Sequence, residues 1–412
     1  MAKPPTPENH PKAWRPETLA VRAGTKRAYQ ETSEALFLNS GYAYDSPEQA
    51  AARFTGDDPG YIYSRFSNPT VEMFEDRLAA LEGAGLDRPL HCQATATGMA
   101  AVTAAVLCQM SVGDHMIASR ALFGSCRYVA DDLCARFGIE TTFIDGTDLD
   151  QWAAACRPET KLFFLETPSN PGLQILDLAA IARIAHKNSA RLLVDNVFAS
   201  PILQQPFAYG ADIVVYSATK HMDGQGRVLG GAILCDDEAF VADTLRPFLR
   251  NTGPALSPFN AWVLLKSVET LGLRVNAMSK TAGVLANRIA AANTKGVTVT
   301  YPGLGDTPAA AIARRQMKSG GSLFTLEFAD GQAAAYAFLS ALSLFDISNN
   351  LGDAKSLATH PWTTTHSRLS EAARLAQGVT PGLVRLSVGL EHVEDLWADL
   401  ATALDRALRP AG

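Results

Sequence analysis

The sequence has little that marks the common binding classes. Of 412 residues, 36 are Lys or Arg and 42 are Asp or Glu, a net charge of −6, and the basic residues are scattered rather than massed. A nucleic-acid surface needs a basic block or stripe, so no nucleic-acid partner is expected. No apolar run is long enough to span a bilayer, so no membrane partner is expected either. The opening Met1-Ala2-Lys3-Pro4-Pro5-Thr6-Pro7 lacks the apolar core of a signal peptide and reads as a flexible tail, which makes the cytoplasm the expected location. Six cysteines (Cys92, Cys108, Cys126, Cys134, Cys156, Cys235) form no Cys-x-x-Cys pair and sit mostly among apolar residues. They read as buried reduced thiols, not as a disulfide framework or a zinc site. The eight histidines show no His-Glu-x-x-His spacing, and no metal is expected. His360 and His366, separated by Pro-Trp-Thr-Thr-Thr, read as structural. There is no P-loop and no Gly-x-Ser-x-Gly elbow, and Gly224-Gln225-Gly226-Arg227-Val228-Leu229-Gly230 has the wrong spacing for a dinucleotide loop.

What is present is a rhythm of helix and strand. Residues up to about Pro69 hold few periodic segments, and an irregular arm of that length packs on something, often a neighbouring subunit. Beyond it, amphipathic and Ala-rich stretches at Pro69–Leu81, Thr97–Met110 and Leu178–Asn188 predict helices. Apolar runs at His115–Ala118, Thr142–Ile144, Leu162–Leu165, Leu192–Val194, Ile213–Tyr216 and Ala232–Leu234 predict strands. Together they predict an α/β fold with a large, mostly parallel sheet covered on both faces. A helical stretch from about Pro258 to Ala292 leads to a smaller α+β lobe. Its predicted strands are Val297–Tyr301, Ser322–Phe328, Leu344–Ser348 and Leu383–Val388, with helices near Ala333–Leu342 and His392–Leu408.

Lys220 closes the run Ile213-Val214-Val215-Tyr216-Ser217-Ala218-Thr219-Lys220. Most lysines are solvated surface charges, but a β-branched strand that breaks into hydroxyl residues delivers this one into a buried polar place. The run Arg191-Leu192-Leu193-Val194 delivers Asp195 in the same way. A buried amine and a buried carboxylate at the ends of parallel strands point to pyridoxal phosphate: the lysine bonds the aldehyde as a Schiff base, and the carboxylate keeps the pyridine nitrogen protonated. Glu166-Thr167-Pro168-Ser169-Asn170-Pro171 follows another strand, and Asn170, held between prolines, can donate to the cofactor's phenolate oxygen. Ala94-Thr95-Ala96-Thr97-Gly98-Met99-Ala100 opens a helix, where free amides favour a phosphate and Gly98 admits it closely, with Ser217 and Thr219 as added hydroxyl donors. A plain helix start is the competing reading of Gly98. In Leu383-Val384-Arg385-Leu386-Ser387-Val388, alternation sets Arg385 opposite Val384, Leu386 and Val388. Arg385 is either an edge charge or a bidentate holder of an amino acid's α-carboxylate.

These motifs, in order, resemble the Cys/Met-metabolism pyridoxal phosphate enzymes, the family of cystathionine γ-synthase, cystathionine γ-lyase and the homoserine-ester sulfhydrylases. The resemblance covers nearly the whole chain. It rests on Tyr63-Ser64-Arg65-Phe66-Ser67-Asn68-Pro69-Thr70, Thr97-Gly98-Met99-Ala100, Glu166 to Pro171, Val194-Asp195-Asn196, Ser217-Ala218-Thr219-Lys220 and Arg385-Leu386-Ser387-Val388-Gly389. It implies a type I, aspartate-aminotransferase-like fold, pyridoxal 5'-phosphate as cofactor, and a homotetramer built as a dimer of dimers with shared sites. It also implies an arm over 1–68, a cofactor-binding domain over 69–270 and a C-terminal domain over 271–412. By resemblance, Tyr63 and Arg65 reach the neighbour's phosphate, Gly98 and Met99 line the phosphate site, and Lys220 and Tyr63 are the catalytic pair. The family's ring-stacking tyrosine is Phe123 here, which stacks but cannot exchange a proton. The usual Ser-Leu-Gly-Gly is Asn350-Leu351-Gly352-Asp353, which makes Asn350 a substrate-binding candidate beside Arg385 and Asn170. With Asp223-Gly224-Gln225-Gly226-Arg227, these departures resemble the branch that makes homocysteine from O-succinylhomoserine and sulfide. An acetyl ester, cysteine as nucleophile, or γ-elimination are the alternatives. Arg127 is a candidate for the succinyl carboxylate or a plain exposed helix charge.

Overall fold

The computed structural model describes residues 14–409, so the opening tail lies outside the described residues. The twelve strands are β1 His91–Thr95, β2 His115–Ser119, β3 Glu140–Ile144, β4 Thr160–Glu166, β5 Arg191–Asp195, β6 Ile213–Ser217, β7 Gly231–Cys235, β8 Val297–Thr300, β9 Leu323–Phe328, β10 Asp346–Ile347, β11 Leu357–Thr359 and β12 Leu383–Ser387. Seven of them pair in the order β1-β7-β6-β5-β4-β2-β3, and five in the order β10-β11-β12-β9-β8. β2 is parallel to β3 and to β4, and β4 to β5, whereas β1 and β7 are antiparallel.

The chain divides into two compact units. The first holds residues through Gln109 with Val215–Thr219 and Arg227–Thr270; the second holds Met110–Val214, Lys220–Gly226 and Leu271–Gly412. In the second unit, strands β4 and β5 are buried almost end to end, which is why they read as unbroken apolar runs. The five-stranded sheet has a core on one face. Val384, Leu386 and Val388 pack there with Phe324, Leu326, Phe338 and Leu400, each side chain contributing roughly 1.5–3 kcal/mol by leaving water. The alternation predicted for β12 therefore holds. β12 lies between β11 and β9, however, so Arg385 is not an edge charge.

The helices start where side chains can cap them. Thr97 accepts from the Ala100 amide before Gly98–Leu107, Asp177 from Ala180 before Leu178–Lys187, and Ser257 from Asn260 before Pro258–Val268. Each such cap contributes on the order of 1 kcal/mol. The helical stretch expected over 258–292 is two helices, Pro258–Val268 and Leu271–Ala292. Three strands differ from expectation. β1 was hidden because His-Cys-Gln-Ala-Thr carries no apolar run and is only partly buried. β11 is three residues long, too short for a periodic signal. The strand expected over 344–348 shrinks to the exposed Asp346–Ile347, paired on one side only.

Candidate active site

In the second unit, four chain segments deliver polar groups to one cluster. Lys220 follows β6, and its Nζ donates to Asn350 Oδ1 at 2.6 Å. Burial, with the Arg385 charge adding to it, lowers the Lys220 pKa to about 8. The amine is thus far easier to obtain neutral than a solvated lysine. Arg385 is 2% exposed. Its Nη1 donates to Asn170 Oδ1 at 2.8 Å, and its Nη2 donates to the carbonyls of Asn349 and Asn350 at 3.1 and 3.2 Å. Its Nε–H is buried with no hydrogen-bond partner, and burial brings the guanidinium down to about 10. A buried guanidinium with a donor to spare is the feature an incoming carboxylate completes.

Asn170 stands where the chain makes two cis prolyl bonds, Thr167-Pro168 and Asn170-Pro171. With Oδ1 on the arginine, the N–H side of the amide is turned elsewhere, which is the side a phenolate oxygen requires. Asp195 ends β5, and its Oδ1 accepts from the Val197 amide at 3.1 Å. The Cys126 thiol gives its Oδ2 a weak donor at 3.9 Å. Burial pushes the Asp195 carboxyl up to about 7. A protonated ring nitrogen would supply the positive charge this buried carboxylate needs.

The segments that carry Lys220 and Asn350 are held against each other. His221 lies between Val197 and Ser322, with its Nε2 2.8 Å from Ser322 Oγ. A Cβ on Gly352 would fall 2.7 Å from the His221 nitrogen, so only glycine fits there. The Ala354 amide donates to Gly224 at 2.8 Å. Gly224 and Gly226 of the departure over 223–227 therefore pack against the departure over 350–353 and its next residue. Sequence reasoning missed His221 as a spacer, because nothing local relates it to a loop over a hundred residues away.

In the first unit, the turn into Gly98–Leu107 meets the end of β6. A Cβ on Gly98 would fall 2.5 Å from Ser217 Cβ and 2.9 Å from its hydroxyl oxygen. Glycine is required there by the packing against Ser217, and Met99 supplies the second amide of that helix. The Thr219 hydroxyl exchanges hydrogen bonds with the Gly230 backbone, at 3.1 and 3.3 Å. Tyr63 is 42% exposed and packs edge-on to Phe66. The Arg65 guanidinium lies over Phe66 and hydrogen-bonds the Arg250 carbonyl.

Among the other candidates, Phe123 heads the helix Gly124–Tyr128, and its backbone amide donates to Glu166 Oε2 at 2.8 Å. Arg127 stacks 4.2 Å above the Phe143 ring and pairs with Asp131. Those contacts fit a helix-surface charge better than an acyl anchor. His360 bonds Thr363 and the Pro381 carbonyl, a structural role. Among the described residues no cluster of His, Cys, Asp or Glu could hold a metal, and no helix is long and apolar enough to cross a membrane.

The family model described as Cys/Met metabolism PLP-dependent enzyme matches residues 17–405. An O-succinylhomoserine sulfhydrylase of Mycobacterium tuberculosis is 46% identical over 404 residues, covering 97% of this chain and 98% of that protein. An L-methionine gamma-lyase of Fusobacterium nucleatum is 38% identical over 393 residues, covering 94% of this chain and 98% of that protein. A solved Campylobacter jejuni structure, holding N'-pyridoxyl-lysine-5'-monophosphate, superposes with TM-score 0.88 at 32% identity. It covers 95% of this chain and 100% of that one. The large mixed sheet and smaller second sheet are those of the type I pyridoxal phosphate fold. Half-buried amine, buried carboxylate, glycine turn and family match agree, and the chain belongs to the Cys/Met-metabolism family of pyridoxal phosphate-dependent enzymes.

Proposed function

We propose that this chain replaces the acyl group of O-succinyl-L-homoserine with sulfide at Cγ, giving L-homocysteine and succinate for methionine biosynthesis in the cytoplasm. The observation that carries the reading is the pairing of a half-buried amine, Lys220 on Asn350, with a buried Arg385 that keeps one donor unused. One group suits proton transfer and the other suits an α-carboxylate. In this reading the cofactor is held by Lys220, by Asp195 at the ring nitrogen, by Asn170 at the phenolate and by Phe123 on the ring face. Gly98, Met99, Ser217 and Thr219 hold the phosphate. Pyridoxal phosphate, once joined to the substrate nitrogen, supplies the sink for the electrons of the Cα–H bond.

The residues then act in turn. Arg385 grips the carboxylate and so fixes which substituent of Cα faces Lys220. Lys220, uncharged once released, accepts the Cα proton at Nζ, while Asn350 Oδ1 receives a hydrogen bond from the resulting ammonium. Asp195, as a carboxylate, keeps the ring nitrogen protonated. Once Lys220 has relayed the Cα proton to the bound cofactor, its neutral Nζ would accept the proton that leaves Cβ as succinate leaves Cγ; hydrosulfide bonds to Cγ, and Lys220 hands protons back to the carbon chain. Phe123 stacks without exchanging a proton, which leaves Tyr63 as the phenol for that duty. We place Tyr63 and Arg65 in the neighbouring subunit's site, carried there by the arm over 1–68, within a homotetramer of two dimers. The cofactor lobe spans 69–270 and the C-terminal lobe 271–412.

The likeness to a methionine gamma-lyase makes γ-elimination the second reading, and an acetyl ester or cysteine would use the same groups. Steady-state turnover of succinyl and acetyl esters, each with sulfide, with cysteine or with no nucleophile, tests the proposal. We expect the highest kcat/KM for the succinyl ester with sulfide. A higher value for the acetyl ester or for cysteine, or equal turnover without a nucleophile, would contradict it.

A further inference from the structure

Glu166 has no part in the chemistry above, yet it stands among the groups that do. It ends β4, and its register partner on the parallel strand β5 is Asp195. Register partners on parallel strands project to the same face of the sheet from strands about 4.8 Å apart, so the two carboxyls lie side by side. Glu166 is 2% exposed and Asp195 7%. The Glu166 carboxyl accepts from the backbone amide of Phe123 at 2.8 Å, and the Asn170 amide lies near enough to pull its pKa down. The first carries the ring proposed to stack on the cofactor. The second carries the amide that engages Arg385. The groups that face Glu166 are Asp195 from β5, Cys126 from the helix after Phe123, and Arg385 from β12. Two neighbouring buried carboxyls do not both ionise in this surrounding. Burial, then the Asp195 charge, push Glu166 well above the usual carboxylate range, beyond the opposing pull of its two amides and of Arg385. Burial pushes Asp195 up as well, so the pair carries a single negative charge, and in the cofactor reading the protonated ring nitrogen facing Asp195 draws that charge there.

We propose that Glu166 is a positioning residue which, in its uncharged form, fixes Phe123 and Asn170 by their backbones and leaves the negative charge to Asp195. Two consequences follow from one carboxyl: the ring face and the Arg385 partner keep their places, and Asp195 meets the cofactor's ring nitrogen without a second anion beside it. The inference rests on the cofactor reading of Lys220 and Asp195.

The test compares Glu166→Gln with Glu166→Ala in the full-length protein. Pyridoxal phosphate is removed and titrated back, with its dissociation constant read from visible absorbance, and KM is measured separately for the amino ester and for sulfide. Ala removes the acceptor of the Phe123 amide and should weaken cofactor binding about tenfold or more. It should also raise KM for the ester and leave KM for sulfide alone. Gln keeps an acceptor oxygen and cannot ionise, so it should bind cofactor within about threefold of the unaltered protein, under ~1 kcal/mol. A Gln variant as impaired as Ala would show that the charge is needed and would overturn the proposal. So would an unimpaired Ala variant. If Ala fails to fold, Gln alone decides by the same threefold and tenfold marks. Unaltered protein that takes up no cofactor at Lys220 would sink the functional reading instead, so the two failures are distinguishable.

Discussion

Arg77, Glu34, Lys266 and Glu269 form one largely buried charge cluster of this chain; Lys220, Arg385, Asp195 and Glu166 form another. In the first, opposite charges meet directly. Arg77 bonds Glu34 and lies 3.5 Å from Glu269, while Lys266 lies 2.9 Å from Glu34 and also reaches Glu269. The remaining donors of Arg77 go to the Ala23 and Leu265 carbonyls and to Thr25. Burial alone would raise Glu34, yet hydrogen bonds from Arg77 and Lys266 outweigh it and hold the carboxyl at about 2. Lys266 moves upward, again because its hydrogen bonds outweigh burial. In the second cluster the cations bond to amide and carbonyl oxygens instead. Burial wins there: Lys220 falls to about 8 and Asp195 rises to about 7. The first cluster keeps its ions as ions and ties the N-terminal segment to two helices. The second brings Lys220 and Asp195 toward neutral pH, where protons can move, while Arg385 stays charged for an anionic ligand to complete the balance.

The contrast can be broken at either end. Arg77→Met should give the largest stability loss, about 3–5 kcal/mol, because it leaves Glu34 buried with only Lys266 beside it. Chemical denaturation of the holoprotein measures this. A loss below about 1 kcal/mol would mean that the paired cluster is no more than a surface-like ion pair. Arg385→Ala should leave the fold standing but raise KM for the amino ester roughly 100-fold, about 2.7 kcal/mol, since a charge-assisted bidentate contact is lost. KM for sulfide should scarcely change. Equal rises for both substrates would remove the carboxylate role and, with it, the reason for an unused Nε–H in the second cluster.

Much of this was readable before any coordinates. β2, β4, β5, β6 and β7 announce themselves because strands buried on both faces must be apolar throughout, and Lys220 and Asp195 stand out as the polar residues that end such runs. Arg385 was legible as a residue opposite a core face, but not as a buried one, because whether a strand is central depends on its neighbours. Two contacts were out of reach. Asn350 meets Lys220 from a loop 130 positions along the chain. Glu166 looked like part of a turn motif until the parallel register placed it beside Asp195. Pairing across a sheet is decided by three-dimensional packing, and no local pattern encodes it. The Arg77 cluster was equally hidden, since its partners come from 43 to 192 positions away.

The central claim is that Lys220 is the amine held ready for the cofactor aldehyde. Borohydride reduction of the holoprotein, followed by peptide mass spectrometry, reads this directly. The account predicts the reduced pyridoxyl group on the peptide containing Lys220, and neither that label nor the visible absorbance in Lys220→Ala. A pyridoxyl group on another lysine, or an unchanged visible spectrum in Lys220→Ala, would contradict it.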